Sequence, residues 1–324
     1  MNKILLGVSV LLLLGLTTVF LVEKQNNGLR AEVDEFQAWM HKYGFKFADE
    51  VQLQYRRTIF YQNKDLIEQL NAENNGTFHS LNGFAIYTKD EFNQLFKGYQ
   101  KKQKSHLIYT LKGDIAASVD WRQKNAVTPV KNQGQCGSCW AFSTVGGLEG
   151  AYAIATGNLT SFSEQQIVDC SKANAGCNGG DLPPAYKYVV QNGIETEADY
   201  PYKGTDQKCK YDASKVVFKP KSFVQVTPNN PDQLAIALNK EPVPICIEAD
   251  QKAFQFYTSG IISSGCGTNL DHCVLAVGYD ADAWIVKNSW GTSWGENGYV
   301  RIARTLAAGP GVCGIYEEPV YPIY

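Results

Sequence analysis

All nine cysteines of this 324-residue chain fall between Cys136 and Cys313, and the first 135 residues hold none. That asymmetry divides the chain into two regions with different sources of stability. A region that closes loops covalently needs an oxidising folding compartment. A cysteine-free region must hold together by packing alone. Nine is odd, so at least one thiol is left over, and the pairing of the others is not fixed by sequence. The length suffices for one or two domains with a proper core. A net charge of −2 gives no sign of a nucleic-acid partner, and the largest basic cluster, Lys101-Lys-Gln-Lys104, reads as a solvated linker.

The amino terminus agrees with an oxidising route. Met1-Asn-Lys3 is a short basic start, Ile4 to Val22 is almost wholly apolar, and Glu23 opens a polar stretch. Residues 1–22 read as a signal peptide, and the length of the apolar run also permits a membrane anchor. Beyond it, Phe36, Trp39, Met40 and Tyr43 recur at helical spacing, and a longer helical pattern runs from Val51 to Asn71. Asn75-Gly-Thr77 and Asn158-Leu-Thr160 are possible glycan acceptors.

The chemistry concentrates in Gln133-Gly-Gln-Cys136-Gly-Ser-Cys139-Trp140. Cys139 stands where a helix is expected to begin, and the positive end of a helix favours thiolate over thiol. A buried cysteine is usually an inert small hydrophobe, so a partner is needed. Of the four histidines, only His272 lies downstream of Cys139, 133 residues away at the start of an apolar strand-like run. A third group should fix the imidazole tautomer. Asn288, in Lys287-Asn-Ser-Trp290-Gly, is the candidate, with Trp290 and Trp294 able to shield its hydrogen bond from water. With one histidine in this region, no metal-ligand cluster is present, and no cofactor is implied.

These motifs resemble those of papain-family, cathepsin L-like cysteine proteases. The likeness runs from about Asp120 to the end and includes Leu270-Asp-His272 and Gly311-Val-Cys-Gly-Ile-Tyr316. It implies an α+β fold in which a helical subdomain faces an antiparallel β-barrel subdomain across a cleft. It implies that Cys139 is the nucleophile, His272 its partner, Asn288 the orienting group and Gln133 an oxyanion donor. It suggests disulfides Cys136–Cys177, Cys170–Cys209 and Cys266–Cys313. Cys139 must then stay free, and Cys246 and Cys273, in apolar strand-like contexts, are expected to be inert thiols. Gly137, Gly179, Gly180, Asp271 and Trp290 are expected along the substrate cleft. The main selectivity pocket should be lined by Leu182, Cys246, Leu270, Cys273 and Glu318. The Glu318 carboxylate at its base could pair with a basic side chain, with Asp181 helping at the rim, or could turn to solvent.

The same resemblance makes residues 23–114 an inhibitory propeptide and 115–324 the catalytic domain. Arg56, Phe60, Asn63, Ile67 and Asn71 fit the helix signature of such propeptides, with Gln52 in place of its leading Glu. A second propeptide motif is partial: Asn82 and Phe84 fit, but Ser80 replaces a glycine and Ile86 an aspartate. The stretch from Lys101 to Asp114 is the expected cleavage linker. From Ile115 onward the chain carries 16 Lys+Arg against 20 Asp+Glu, and the part before it 14 against 12. Opposite net charges suit two parts that attract at neutral pH and loosen in acid. Expected partners are protein and peptide substrates and the chain's own propeptide, with a monomer after processing. The expected destination is the secretory pathway, ending in a lysosome or digestive vacuole or outside the cell.

Overall fold

The computed structural model describes residues 35–73, 76–101 and 108–324. The signal-peptide reading of 1–22, the acceptor Asn75 and the centre of the linker therefore lie outside the described residues. The described chain falls into two units, one ending at Gln62 and one spanning Asn63–Tyr324.

The first unit holds helix α1 (35–43) and the start of helix α2 (Glu50–Ala72). Its core is aromatic. Trp39 stacks on Phe45 at 4.9 Å between centroids, and Phe60 tilts against Phe36 at 5.2 Å. Helical spacing places Phe36 and Trp39 on one face, as their periodicity predicts.

The second unit opens with strand β1 (Thr77–His79) and helix α3 (Lys89–Phe96). Thr88 and Glu91 cap α3 reciprocally: the Thr88 hydroxyl accepts from the Glu91 N–H and the Glu91 carboxylate from the Thr88 N–H. Strand β2 (Ile108–Tyr109) follows, then β3 (Val119–Asp120), helix α4 (Cys139–Thr156), α5 (Glu164–Cys170) and α6 (Leu182–Asn192). The remaining elements are β4 (Ser222–Val226), α7 (Pro231–Leu238), β5 (Val243–Ile247), α8 (Lys252–Gln255), β6 (Tyr257–Ile262), β7 (His272–Tyr279), β8 (Ala283–Lys287), β9 (Tyr299–Ala303) and β10 (Val320–Ile323). Helices come first and strands later, which is the α+β arrangement.

One sheet runs β1-β6-β9-β8-β7-β3, with β5 also on β7; a smaller sheet runs β10-β4-β2. Pairing is antiparallel except at β6–β9 and β2–β4. Part of the expected cleavage linker is therefore held in place: Ile108-Tyr109 lies along β4, and the backbone of Leu111 both donates to and accepts from the Gln233 amide. Its β-branched and aromatic residues suit a short edge strand.

Helix α4 is buried nearly all round, and Gly157 in the left-handed conformation ends it as its sequence foretold. It lies close on β7 because glycines face the sheet. A Cβ on Gly146 would meet Leu275 at 2.8 Å, and one on Gly147 would meet the Tyr186 hydroxyl at 2.5 Å. The Ser143 hydroxyl donates to the Val274 carbonyl of β7 at 2.6 Å. At the far edge of the contact, the Lys131 ammonium bridges Glu149 of α4 at 2.9 Å and Glu164 of α5 at 2.6 Å.

Four disulfides are present: Cys136–Cys177, Cys170–Cys209, Cys246–Cys273 and Cys266–Cys313. The third corrects the expectation that Cys246 and Cys273 are separate inert thiols. They sit directly opposite each other on antiparallel β5 and β7, so both side chains leave the same face of the sheet. That register depends on two strands meeting across a long connection, which spacing alone does not reveal. Cys139 alone is free.

Glu241, just ahead of β5, is 2% exposed, and one of its carboxylate oxygens has no hydrogen-bond partner among the described residues. Burial pushes its pKa up from 4.5 to about 9. The folded state thus binds this proton more tightly than the unfolded chain does. The contribution to stability is full below about pH 4.5 and is lost as pH climbs toward 9. Glu241→Gln should raise the melting temperature at pH 7.5, by about 1–3 kcal/mol of stability, and change it little at pH 4. Melts of the two proteins at both pH values, if they show the same difference at each, exclude this account.

Candidate active site

Cys139 is the first residue of α4, so its own N–H and that of Trp140 have no partner within the helix. Its side chain is fully buried. Backbone N–H groups of Cys273 and Trp140 favour its thiolate, as does that of Gly98. Cys273 follows His272, so the sulfur lies against the start of β7. His272 is fully buried at that strand's end, and its Nε2 pairs with Asn288 Oδ1 at 2.8 Å. The same amide oxygen accepts the Ser289 N–H at 2.8 Å. Trp290 covers the imidazole, stacked at 4.5 Å between centroids, and Trp294 meets Trp290 edge-on at 5.0 Å. His272 Nδ1 has no hydrogen-bond partner among the described residues. The Asn288 bond thus fixes one ring nitrogen and leaves the other free of a hydrogen-bond partner among the described residues.

Gln133 is fully buried, and its amide oxygen accepts the Ser289 hydroxyl at 2.7 Å. This sets its flip and aims Nε2 outward, where it donates to the Phe96 carbonyl at 3.1 Å and the Cys136 carbonyl at 2.9 Å. Trp290 Nε1 donates to the same Phe96 carbonyl at 2.9 Å. A carbonyl is thus held on the donor group beside Cys139.

A free thiol, an imidazole fixed by an amide and a side-chain amide donor converge at one cleft, and comparison with known proteins agrees. Residues 115–323 match the papain family cysteine protease family, and residues 36–92 match the cathepsin propeptide inhibitor domain. The chain belongs to the papain family of cysteine proteases. It is 43% identical over 305 residues to cysteine proteinase RD21A of Arabidopsis thaliana, covering 89% of this chain and 66% of that protein. It is 42% identical over 296 residues to papain of Carica papaya, covering 89% and 86%. Digestive procathepsin L 3 from the larval midgut of Tenebrio molitor superposes with a TM-score of 0.83 at 35% identity, over 90% of this chain and 99% of that one.

The protease is in its zymogen form, and the segment after α3 fills the cleft. Gly98 crosses so close to Gly137 that a Cβ on it would sit 2.0 Å from the Gly137 carbonyl oxygen. Gly98 O accepts the Gly180 N–H and Gln100 N donates to Gly180 O, both at 2.8 Å. Tyr99 N donates to the Asp271 carbonyl at 3.0 Å. The glycines expected to take an extended chain, Gly179 and Gly180, carry the propeptide instead. Tyr99 belongs to the same buried apolar cluster as Leu182, Cys246 and Cys273, with Leu270 packed against it, which are most of the residues of the expected selectivity pocket. Glu318 is 8% exposed; it accepts from Gln225 at 2.6 Å and pairs with the Lys101 ammonium of the propeptide. Of its two expected orientations, the inward one is found.

Asp181, expected at the pocket rim, has a structural task as well. It is 2% exposed and caps α6, accepting the Leu182 N–H at 2.8 Å. An aspartate just ahead of Leu-Pro-Pro is a helix-start signal legible in the sequence. Lys97, which sequence reasoning did not single out, is buried beside the site and pairs with Asp271 at 2.5 Å.

Cover changes the electrostatics. Burial pushes the Cys139 thiol up to about 12, against the helix N-terminus that favours thiolate. Burial takes His272 down to about 3; the Asn288 hydrogen bond opposes this and the Lys97 ammonium adds to it. The thiolate–imidazolium pair expected from the sequence is therefore neutral while the propeptide is in place.

Proposed function

We propose that Cys139 attacks a peptide carbonyl once the propeptide has left, with His272 first taking its proton and then giving it to the leaving amine. Asn288 keeps the imidazole in register, and Gln133 with the Cys139 N–H binds the oxyanion. Water then hydrolyses the thioester. The observation that carries this reading is the Phe96 carbonyl on Gln133 Nε2, a ground-state stand-in for the reacting carbonyl. Residues 1–22 are read as a cleaved signal peptide, 23–114 as the propeptide and 115–324 as the monomeric catalytic domain. Four disulfides support a route through the secretory pathway, to a lysosome, a digestive vacuole or the medium. In the matured protein, Cys139→Ala and His272→Ala should each abolish hydrolysis of a fluorogenic peptide while circular dichroism stays native. Substantial turnover by either variant rules out the assignment.

The pocket filled by Tyr99 is read as taking a large apolar side chain two residues before the scissile bond. Glu318 at its base adds tolerance for arginine, as its pairing with Lys101 suggests. Glu318→Ala should lower kcat/KM for an arginine at that position about tenfold, with little change for phenylalanine. Equal losses for both peptides argue against a specific role.

Maturation is read as faster in acid. His272 is held neutral under the propeptide. His79 of β1, in the propeptide itself, is also neutral: it is 5% exposed, with Nδ1 3.3 Å from Asn71 Oδ1 of α2 and no hydrogen-bond partner within normal geometry for Nε2 among the described residues. Burial lowers its pKa from 6.5, opposed by the Ala253 backbone and by Glu73. A histidine whose pKa is depressed in the closed form favours that form above its ordinary pKa. The preference is lost as pH falls below it. His79 thus offers an acid-sensitive contact where Ile86 replaces the motif's aspartate. Processing of the purified zymogen should run several-fold faster at pH 4.5 than at pH 7, and His79→Leu should shrink that ratio. A ratio of one in the wild type contradicts the reading.

A further inference from the structure

Three of the four disulfides follow the pairing that the family resemblance implies; Cys246–Cys273 is not among them. It stands at the site rather than in the scaffold. Cys273 follows His272 on β7, and its backbone N–H favours the Cys139 thiolate. Both cysteines of the pair are fully buried, in the apolar cluster that holds Leu182 and has Leu270 packed against it. Tyr99 is the propeptide's contribution to that cluster. A covalent bond that a reductant can open thus lies among the residues read above as choosing the substrate.

What opening would do follows from packing. Two bonded sulfurs lie inside one another's van der Waals radii. As thiols they must part to ordinary contact, about 3.5–4 Å. The strands resist this, because their ladder continues on both sides of the pair, Ile245 against Val274 and Ile247 against His272. The movement therefore falls on the side chains. In the zymogen Tyr99 completes the packing of the cluster, and neither cysteine has any exposed surface. An external thiolate has no approach to such a bond. Departure of the propeptide removes Tyr99, which opens one side of the cluster both to a reductant and to a turning sulfur.

We propose that Cys246–Cys273 is a redox-responsive specificity element, closed in the zymogen and opened in the matured protein by a small thiol reductant. The proposal rests on the catalytic reading above. The reductant's thiolate attacks one sulfur of the pair, the Cys246–Cys273 bond breaks and a mixed disulfide forms. A second reductant thiol attacks that mixed disulfide. The protein gains two electrons and two protons, and the two reductant thiols end joined as a disulfide. The separated sulfurs then turn into the apolar pocket and shorten it, so a large substrate side chain loses more than a small one. The oxidised protein favours phenylalanine two residues before the scissile bond, and the reduced protein shifts toward valine.

The test uses the matured protein in a graded series of dithiothreitol concentrations and two fluorogenic peptides that differ only two residues before the scissile bond, phenylalanine or valine. The quantity read is the ratio of their kcat/KM, which does not depend on how much Cys139 is in its active thiol form. Alkylation and peptide mapping report the state of Cys246 and Cys273 at each concentration. As the pair becomes alkylated, the phenylalanine-to-valine ratio should fall about five- to tenfold, and reoxidation should restore it. The zymogen at neutral pH should leave the pair unlabelled at the same concentrations. The double variant Cys246→Ala/Cys273→Ala should hold one ratio throughout; if it does not fold, the wild-type titration decides alone. A ratio that stays constant while the pair becomes labelled overturns the proposal, as does a variant whose ratio still follows the reductant. So does a pair that opens as readily in the zymogen, or one that resists reduction until the protein unfolds. Failure to cleave either peptide at any concentration overturns the catalytic reading instead.

Discussion

The cleft exists because helix α4 can lie directly against strand β7. Cys139 is at the start of one and His272 at the start of the other, so their meeting is a matter of how those two elements approach. Gly146 and Gly147 remove the side chains that would hold the helix away from Leu275 and Tyr186. The Ser143 hydroxyl fixes the register along the strand through Val274. At Gly147 a methyl group would also run into the Pro244 ring of β5 at 2.6 Å, a neighbour with little freedom to move aside. The buried Lys131–Glu149–Glu164 cluster ties the same helix to α5. Losing one partner there would strand a charge in the interior, so the helix is pinned at both ends of the contact.

The propeptide works on the same geometry by excluding water. The helix N-terminus and the Asn288 hydrogen bond are both in place in the covered cleft, yet the thiol and the imidazole are driven neutral. Desolvation outweighs the local dipoles in this low-dielectric site, and a charged neighbour adds to it at each group: the Asp271 carboxylate at the thiol and the Lys97 ammonium at the imidazole. The zymogen is thereby silenced twice, by occupation of the oxyanion donor and by suppression of the ion pair. Only the second depends on pH.

How much the sequence disclosed follows from the range of the interaction involved. The start of helix α4 at Cys139 and the helical spacing of Phe36 and Trp39 are local features, and pattern alone places them. The family resemblance supplied the grouping of Cys139, His272, Asn288 and Gln133, which no single-residue argument reaches. The Cys246–Cys273 bond was missed because it depends on the register of β5 against β7. The capping task of Asp181 went unread because attention fell on its functional neighbours. Lys97 drew no attention because its significance lies in Asp271, 174 residues away.

That last case bears on how a propeptide can be read. Its chain must leave the cleft uncut, so it pairs with Gly180 through the backbone while fitting the side-chain sites with its own residues. Tyr99 fills an apolar pocket and Lys101 meets Glu318 on one side of the sulfur; Lys97 meets Asp271 on the other. Each propeptide residue is therefore a record of the chemistry its site accepts. Burying Lys97 against a single carboxylate is expensive in isolation. The pairing is eased because Asp271 is itself held in place by the Ala249 N–H and stays partly in contact with water.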